Sequence, residues 1–302
     1  MIKLKRLLLL IPLLLLITSC ENAFIDSKTN PQPIQAENIT DPEITNTTNE
    51  TTEVEGISKE VFIPKDNNLT LYFLDVIGDA TIIQYKDYSA LVNSGFEEDS
   101  EKILKSLRNL GIGNLNYAFA TNTQLKNIGG MPYIILRATP SSIVESGIPS
   151  NSVYRELYNN TQVVQQDKVF TMDKVILHTL VAYDDGGGFL PRMEDNSLVI
   201  KVSYGNVDYL LMSDCGMECE ERIGDVSADI LKISDSCEAT SLLFLQKVKP
   251  DVAVVSTSSE DFCPNIVNRF KYADIPLYIT SKDGDIFITT DGLKYSVGFN
   301  NG

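Results

Sequence analysis

Histidine is almost absent from this chain of 302 residues, which contains His178 alone and has no tryptophan. Zinc centres that activate water usually draw on two or three imidazole ligands. One histidine therefore excludes every centre that needs several imidazoles, and it leaves little basis for a Ser-His-Asp triad. His178 lies in the strand-like segment "VILH", where a lone histidine is typical of a structural residue.

Positive charge is also scarce. The chain has 25 Lys and Arg against 41 Asp and Glu, which gives a formal net charge of −16 and a pI near 4.5. A surface of this sign repels phosphate backbones, so non-specific nucleic-acid binding is disfavoured. Solubility alone accounts for the acidity.

The longest hydrophobic run covers Leu7–Ile17, and these 11 residues are too few to span a bilayer, which takes about 20. The run follows the basic start "MIKLKR" and ends in "ITSC", which is similar to a prokaryotic lipobox. We expect residues 1–19 to be a lipoprotein signal peptide and Cys20 to carry lipid that anchors the protein to the cell membrane. A secretory signal with an incidental cysteine is the alternative, and both place the mature protein outside the cytoplasm.

Residues 20–56 are rich in Asn, Thr, Glu and Pro and lack a helical or strand period. This composition predicts a disordered tether, which would hold the folded residues 57–302 roughly 35 Å from the membrane. Sequons for N-glycosylation begin at Asn38, Asn46, Asn49, Asn68 and Asn159.

Residues 69–297 alternate between short strands and amphipathic helices in two cycles. The first cycle holds three strands, a helix beginning near Ser100, further strands and a helix near residues 152–158. The second begins with the hairpin "SLVIKVSYGNVDYLLMSD" and ends with the hairpin "DIFITTDGLKYSV". Two such cycles predict an α+β fold, a four-layer αββα sandwich with helices on both outer faces of two packed sheets.

Several short motifs in this order resemble the metallo-β-lactamase fold over about residues 69–297. They are similar above all to the extracytoplasmic domain of ComEC-like competence proteins. The motifs are "LTLYFLDV-IGDA", "LKSLRNLGIGNLNYAFAT", "NIGGMP", "NSLVIKVSYGNVDYLLMSD", "ADILKIS", "VKPDVAVVS" and "DGDIFITTDG".

The resemblance implies a site whose zinc ligands are largely lost. The family's His-x-His-x-Asp-His loop would hold two zinc ions. The four ligand positions of this loop are occupied by Asn122, Gln124, Lys126 and Asn127. The family's other ligand positions are occupied by Asn93, Asp235 and Cys263. Asp214 alone keeps the family's residue, as the bridging aspartate. We therefore expect a degenerate pocket without a cofactor and without catalytic residues.

Four cysteines follow Cys20, namely Cys215, Cys219, Cys237 and Cys263. The resemblance puts at least three of them, Cys215, Cys237 and Cys263, around the lost metal pocket. An even number of cysteines in an oxidising compartment predicts disulfides. Three pairings are open, with Cys237–Cys263 and a local Cys215–Cys219 as one of them. A thiolate zinc site of Cys215, Cys237 and Cys263 with Asp214 or Asp235, and free thiols, are the alternatives.

Three functions remain open at this point. The first is a non-catalytic, lipid-anchored protein whose pocket binds a polar small ligand or has no role. The second is a metal-dependent hydrolase that acts on phosphodiester bonds through a Cys/Asp zinc site, as the resemblance to competence proteins implies. The third is an interaction module of a surface protein complex, tied to DNA uptake or envelope assembly.

Overall fold

The structure, a computed structural model, describes residues 67–147, 160–182, 190–224 and 226–300. All of them belong to the compact unit Glu55–Gly302. Within these ranges no helix has the length and apolarity needed to cross a bilayer. The features expected from the sequence that lie outside the described residues are the signal peptide, Cys20, the tether, the sequons at Asn38, Asn46, Asn49 and Asn159, and the helix near residues 152–158.

The described strands follow the order that the sequence predicts. The strands are β1 (Leu69–Phe73), β2 (Thr81–Tyr85), β3 (Tyr88–Val92), β4 (Tyr117–Ala120), β5 (Ser142–Ser146), β6 (Thr161–Val164), β7 (Lys168–Met172), β8 (Val175–Leu180), β9 (Val199–Tyr204), β10 (Val207–Leu211), β11 (Ile230–Ile233), β12 (Val252–Val255), β13 (Leu277–Ile279), β14 (Asp285–Thr290) and β15 (Tyr295–Asn300). The helices are α1 (Ser100–Asn109), α2 (Leu125–Ile128), α3 (Met131–Ala138), α4 (Met217–Arg222), α5 (Leu242–Val248), α6 (Pro264–Ala273) and α7 (Thr280–Asp283).

Two sheets make up the centre of the fold. The first has the strand order β15-β14-β1-β2-β3-β4-β5-β6, and the second has the order β13-β12-β11-β10-β9-β8-β7. Each sheet has a parallel half, β3 to β6 in the first and β10 to β13 in the second. The connections within these halves carry the larger helices.

Side chains that alternate between the two faces of each strand divide the core into layers. Leu71 on β1 and Ile230 on β11 belong to the cluster packed between the sheets. Leu231, one residue further along β11, packs with Phe270 of α6 on the outer face of the second sheet. On the outer face of the first sheet, Ile103 of α1 packs with Ile82 of β2. Because successive side chains on a strand point to opposite faces, each sheet is covered on both sides, and the predicted four-layer sandwich is confirmed.

The closing hairpin, β14 and β15, does not join the second sheet, although the sequence places it in the second cycle. Strand β14 pairs antiparallel with β1, so that Leu69 lies opposite Thr290. The two cycles are therefore not two independent halves, because the last two strands of the chain complete the first sheet.

The carboxyl ends of the parallel strands bring residues of both sheets together at one edge of the sandwich. Asn93 directly follows β3 and Ser213 follows β10, and their side chains lie 3.4 Å apart. Asn122 after β4 donates to Asp214 after β10. This edge is where the sequence predicts the degenerate pocket.

Candidate functional site

The ammonium group of Lys126 occupies the centre of the site. Its Nζ lies 2.8 Å from Oδ1 of Asp214 and 2.6 Å from Oδ1 of Asp235. Burial alone would lower the pKa of Lys126, but the two carboxylates raise it above the ordinary lysine value. The side chain is thus held as a cation between two acidic groups that come from different loops of the second sheet.

The amides around Asp214 are bonded to one another and to its carboxylate. Oδ2 of Asp214 accepts from Nδ2 of Asn122 at 2.9 Å and from Nδ2 of Asn127 at 2.6 Å. Asn127 also donates to Oδ1 of Asn122, and Asn122 donates to Ser197. These side chains are almost completely buried. They form a buried polar network in which the Asp214 carboxylate and the two amide groups are bonded to one another.

Backbone contacts, one of them with a distant loop, hold the segment that carries Lys126. Oδ1 of Asn122 accepts from the backbone N–H of Gln124 and so sets the turn that leads into α2. The carbonyl of Lys126 accepts from the backbone N–H of Asp79 at 2.9 Å. Gly78 is needed at this crossing, because a Cβ there would lie 2.3 Å from the Lys126 carbonyl oxygen. The backbone of Lys126 is therefore anchored to the loop between β1 and β2.

Asn93 links the two sheets without facing solvent. It adopts a positive φ of 60°, which asparagine tolerates better than most residues. Its Nδ2 donates to Oδ2 of Asp79 at 2.9 Å, and its Oδ1 accepts from the backbone N–H and the hydroxyl of Thr121. The Thr121 hydroxyl also contacts that of Ser213.

A second lysine in this region was not predicted from the sequence. Lys232 lies on β11, and its Nζ is 2.9 Å from Oδ1 of Asp79, with 4% and 10% of the two side chains exposed. The signal was available, because a lysine inside the apolar run "ADILKIS" must find a partner when both faces of the strand are covered. This pair bridges the two sheets, and its aspartate also accepts the hydrogen bond from Asn93.

All four cysteines that follow Cys20 are oxidised. The structure joins Cys215 to Cys219 and Cys237 to Cys263. Cys263, predicted as a pocket residue, has its Sγ 3.9 Å from the carbonyl oxygen of Asp235 and is therefore beside the network as half of a disulfide. No thiolate is left to bind a metal ion at these four positions.

The donor set does not fit zinc. Zinc needs three or four nitrogen, thiolate or carboxylate ligands around one point. Within the described residues there is no group of three or more His, Cys, Asp or Glu side chains so arranged. Asp214 and Asp235, the two carboxylates among the predicted pocket residues, are each in contact with the Lys126 ammonium instead.

The loop that carries Asp235, residues 234–241, is fastened at several points. Its second half is held by Glu220, which accepts hydrogen bonds from the backbone N–H groups of Thr240 and Ser241. Burial raises the pKa of Glu220, although these hydrogen bonds oppose the shift. Arg269 donates to the carbonyl oxygens of Ala239 and Thr240.

The remaining predicted residues lie outside the network. Gln124 is half-buried and contributes its backbone N–H to the turn described above. His178 lies in the middle of β8, opposite Val169 and Lys201 of the neighbouring strands, in a position that fits a structural residue. Asn68, a sequon residue, immediately precedes β1 and is half-buried.

No known family profile matches the chain, and no curated protein matches it. Solved structures that are similar to it include metallo-β-lactamase-fold proteins and hydrolases. YhfI from Bacillus subtilis, a metallo-β-lactamase fold protein, has a TM-score of 0.49 and 10% identity and covers 76% of this chain and 100% of its own.

Igni18, a metallo hydrolase from the archaeon Ignicoccus hospitalis, has a TM-score of 0.44 and 11% identity over 73% of this chain and 98% of its own. A protein from Parabacteroides distasonis, provisionally described as a metal-dependent hydrolase, has a TM-score of 0.48 and 11% identity. The match covers 70% of this chain and 93% of that protein. At such identities the likeness concerns shape, and it transfers neither activity nor ligands to this chain.

Proposed function

We propose that the chain is a lipid-anchored extracytoplasmic protein with a metallo-β-lactamase-like fold that acts without catalysis, as an interaction module at the cell surface. The observation that carries this proposal is the Lys126 ammonium between Asp214 and Asp235. The ammonium occupies the space between the two carboxylates and offsets part of the negative charge that would otherwise attract a metal ion. The two disulfides support an oxidising, extracytoplasmic location.

A small polar ligand is less favoured at this site than a protein partner on the surface. The amides of Asn93, Asn122 and Asn127 already donate to neighbouring protein oxygens. A ligand would have to break these bonds to make its own, and it would gain little net free energy from the exchange.

Metal content and hydrolysis test the proposal directly. The purified full chain should contain well below one equivalent of zinc after growth in zinc-supplemented medium. It should not hydrolyse a generic phosphodiester or a β-lactam, and a chelator should not change this. The matched variant is Lys126→Asp, which removes the ammonium and restores a carboxylate at that position. One or two equivalents of zinc in the unmodified chain, lost together with activity on chelation, would overturn the proposal.

The membrane anchor needs a separate test. Cys20→Ala should move the protein from the membrane fraction to the soluble extracytoplasmic fraction, and mass spectrometry should find lipid on Cys20 of the unmodified chain. The partner is then sought by crosslinking on intact cells, with the Cys20→Ala chain as the control. A chain that stays at the membrane without Cys20 would contradict lipid anchoring.

The second candidate is a metal-dependent phosphodiesterase related to the ComEC-like proteins, with a role in DNA uptake. Two carboxylates and one ammonium group meet at the site. Their net charge is negative, and it repels the negatively charged phosphodiester. The net charge of −16 acts in the same direction. We therefore expect no binding of double-stranded DNA at low salt, and we expect any role in DNA uptake to run through a protein partner.

A further inference from the structure

The two disulfides differ in how accessible their sulfur atoms are. Cys215 and Cys219 are both 0% exposed. Cys263 is 7% exposed, but its partner Cys237 lies on the surface of the loop 234–241. Thiol–disulfide exchange requires a thiolate to reach one sulfur atom. Cys237 is the single cysteine of the four that offers such access without prior unfolding.

The Cys237–Cys263 disulfide fastens the first half of the loop. Asp235 stands two residues before Cys237 and contacts the Lys126 ammonium. The other tertiary contact described for this half is the ion pair of Glu238 with Arg192, whose side chains are 71% and 48% exposed. Such an exposed pair holds a loop only weakly.

The second half of the loop is held differently. Buried Glu220 and the guanidinium of Arg269 bind the backbone of residues 239–241 through four hydrogen bonds, none of which involves a cysteine. Opening the disulfide would therefore release residues 235–238 and leave residues 239–241 in place.

We propose that Cys237–Cys263 is a reducible latch on the Lys126 site. When a dithiol reductant opens it, residues 235–238 become mobile, Asp235 leaves, and Lys126 remains paired with Asp214 alone. This inference does not depend on the absence of catalysis, because it concerns the access and charge of the site.

The chemistry of opening is an ordinary two-electron exchange. A thiolate of the dithiol attacks Sγ of Cys237, the bond to Cys263 breaks, and the Cys263 thiolate takes up a proton. The second thiol of the reductant then displaces Cys237 from the mixed disulfide. The dithiol is oxidised to a disulfide, and Cys237 and Cys263 are reduced to thiols.

The test uses the full chain under native conditions with dithiothreitol, followed by alkylation, intact mass and peptide mapping. Cys237 and Cys263 should become alkylated while Cys215 and Cys219 stay joined. At that stage hydrogen exchange should rise in residues 235–238 and stay unchanged at Thr240 and Ser241, whose amides donate to Glu220.

The second readout is the rate at which the Lys126 amine is acylated, relative to Lys86, an exposed lysine paired with Asp173. We expect a rise of about two- to fivefold on reduction, the factor that corresponds to one lost half-exposed ion pair. The double variant Cys237→Ser with Cys263→Ser should reproduce the rise, and Cys215→Ser with Cys219→Ser should not.

Two results would overturn the inference. One is alkylation of all four cysteines together, and the other is selective opening with no change in Lys126 acylation relative to Lys86. Reduction of the unmodified chain decides the matter even where a serine variant fails to fold.

Discussion

Lys126 and Lys232 make the same kind of contact in different surroundings. Each ammonium meets a carboxylate at 2.8–2.9 Å. Lys126 is 25% exposed and shares its charge with a second carboxylate, Asp235, which is 35% exposed. Lys232 and its partner Asp79 are almost completely enclosed between the sheets.

The difference indicates separate roles for the two lysines. An enclosed ion pair is strongly destabilising when one partner is removed, because the other charge is left without water or a counter-charge. A half-exposed pair can be partly replaced by solvent. Lys232 is therefore needed to keep the Asp79 carboxylate paired between the sheets, whereas Lys126 sets the charge and access of the site.

The largest effect is expected from Lys232→Met. This change leaves the buried Asp79 carboxylate unpaired and should lower the free energy of unfolding by about 3–5 kcal/mol, measured by urea denaturation. The control is Lys86→Met, which removes an exposed pair with Asp173 and should cost well under about 1 kcal/mol. Equal losses in the two variants would show that enclosure does not distinguish the pairs.

Lys126→Met should cost less, about 2 kcal/mol, because water can reach part of the site. Lys126→Arg keeps the charge and should recover part of the loss, although the planar guanidinium fits two separated carboxylates differently from an ammonium. A Lys126→Met protein as stable as the unmodified chain would mean that Asp214 and Asp235 need no cation.

Asp235→Asn should cost about 1 kcal/mol or less, since Asp235 is the more exposed partner of Lys126. Asp214→Asn is the comparison, because the new amide would face the amide donors of Asn122 and Asn127. If the same denaturation experiment gives the larger loss for Asp235→Asn, the inner carboxylate is not the main partner of the lysine.

The smallest effect is a dependence on alkaline pH. Burial lowers the pKa of Lys126, but Asp214 and Asp235 raise it above its ordinary value of 10.5. A raised pKa in the folded state means that the stabilisation is complete below pH 10.5 and declines as the pH rises beyond it. The difference in unfolding free energy between the unmodified chain and Lys126→Met should be flat from pH 7 to 10 and shrink above that range. A difference that grows there would contradict the assignment.

The sequence predicts most of this fold because its strands and helices have clear local signals. Alternating or continuous apolar runs end at Gly or Asp turns, as at the Tyr204–Val207 turn between β9 and β10. The helix α1 follows from the spacing of Ile103 and Leu107, both of which are buried.

Other features depend on contacts between distant residues. Nothing local in "TNTQLKN" fixes the direction of Lys126, because that direction depends on Asp79, Asp214 and Asp235 in three other loops. The choice among three disulfide pairings also required the distances between loops. The return of β14 to the side of β1 is a matter of topology, and no periodic pattern records it.

The pairing of β14 with β1 has a consequence for folding during synthesis. Strand β1 emerges early from the ribosome, yet its neighbour on one side is made of residues 285–290. Pairings between such remote segments form late and slowly. The nascent chain should therefore remain incompletely folded and protease-sensitive until almost all of it has been translated. Stalled chains that end before Asp285 and still resist protease would argue against this.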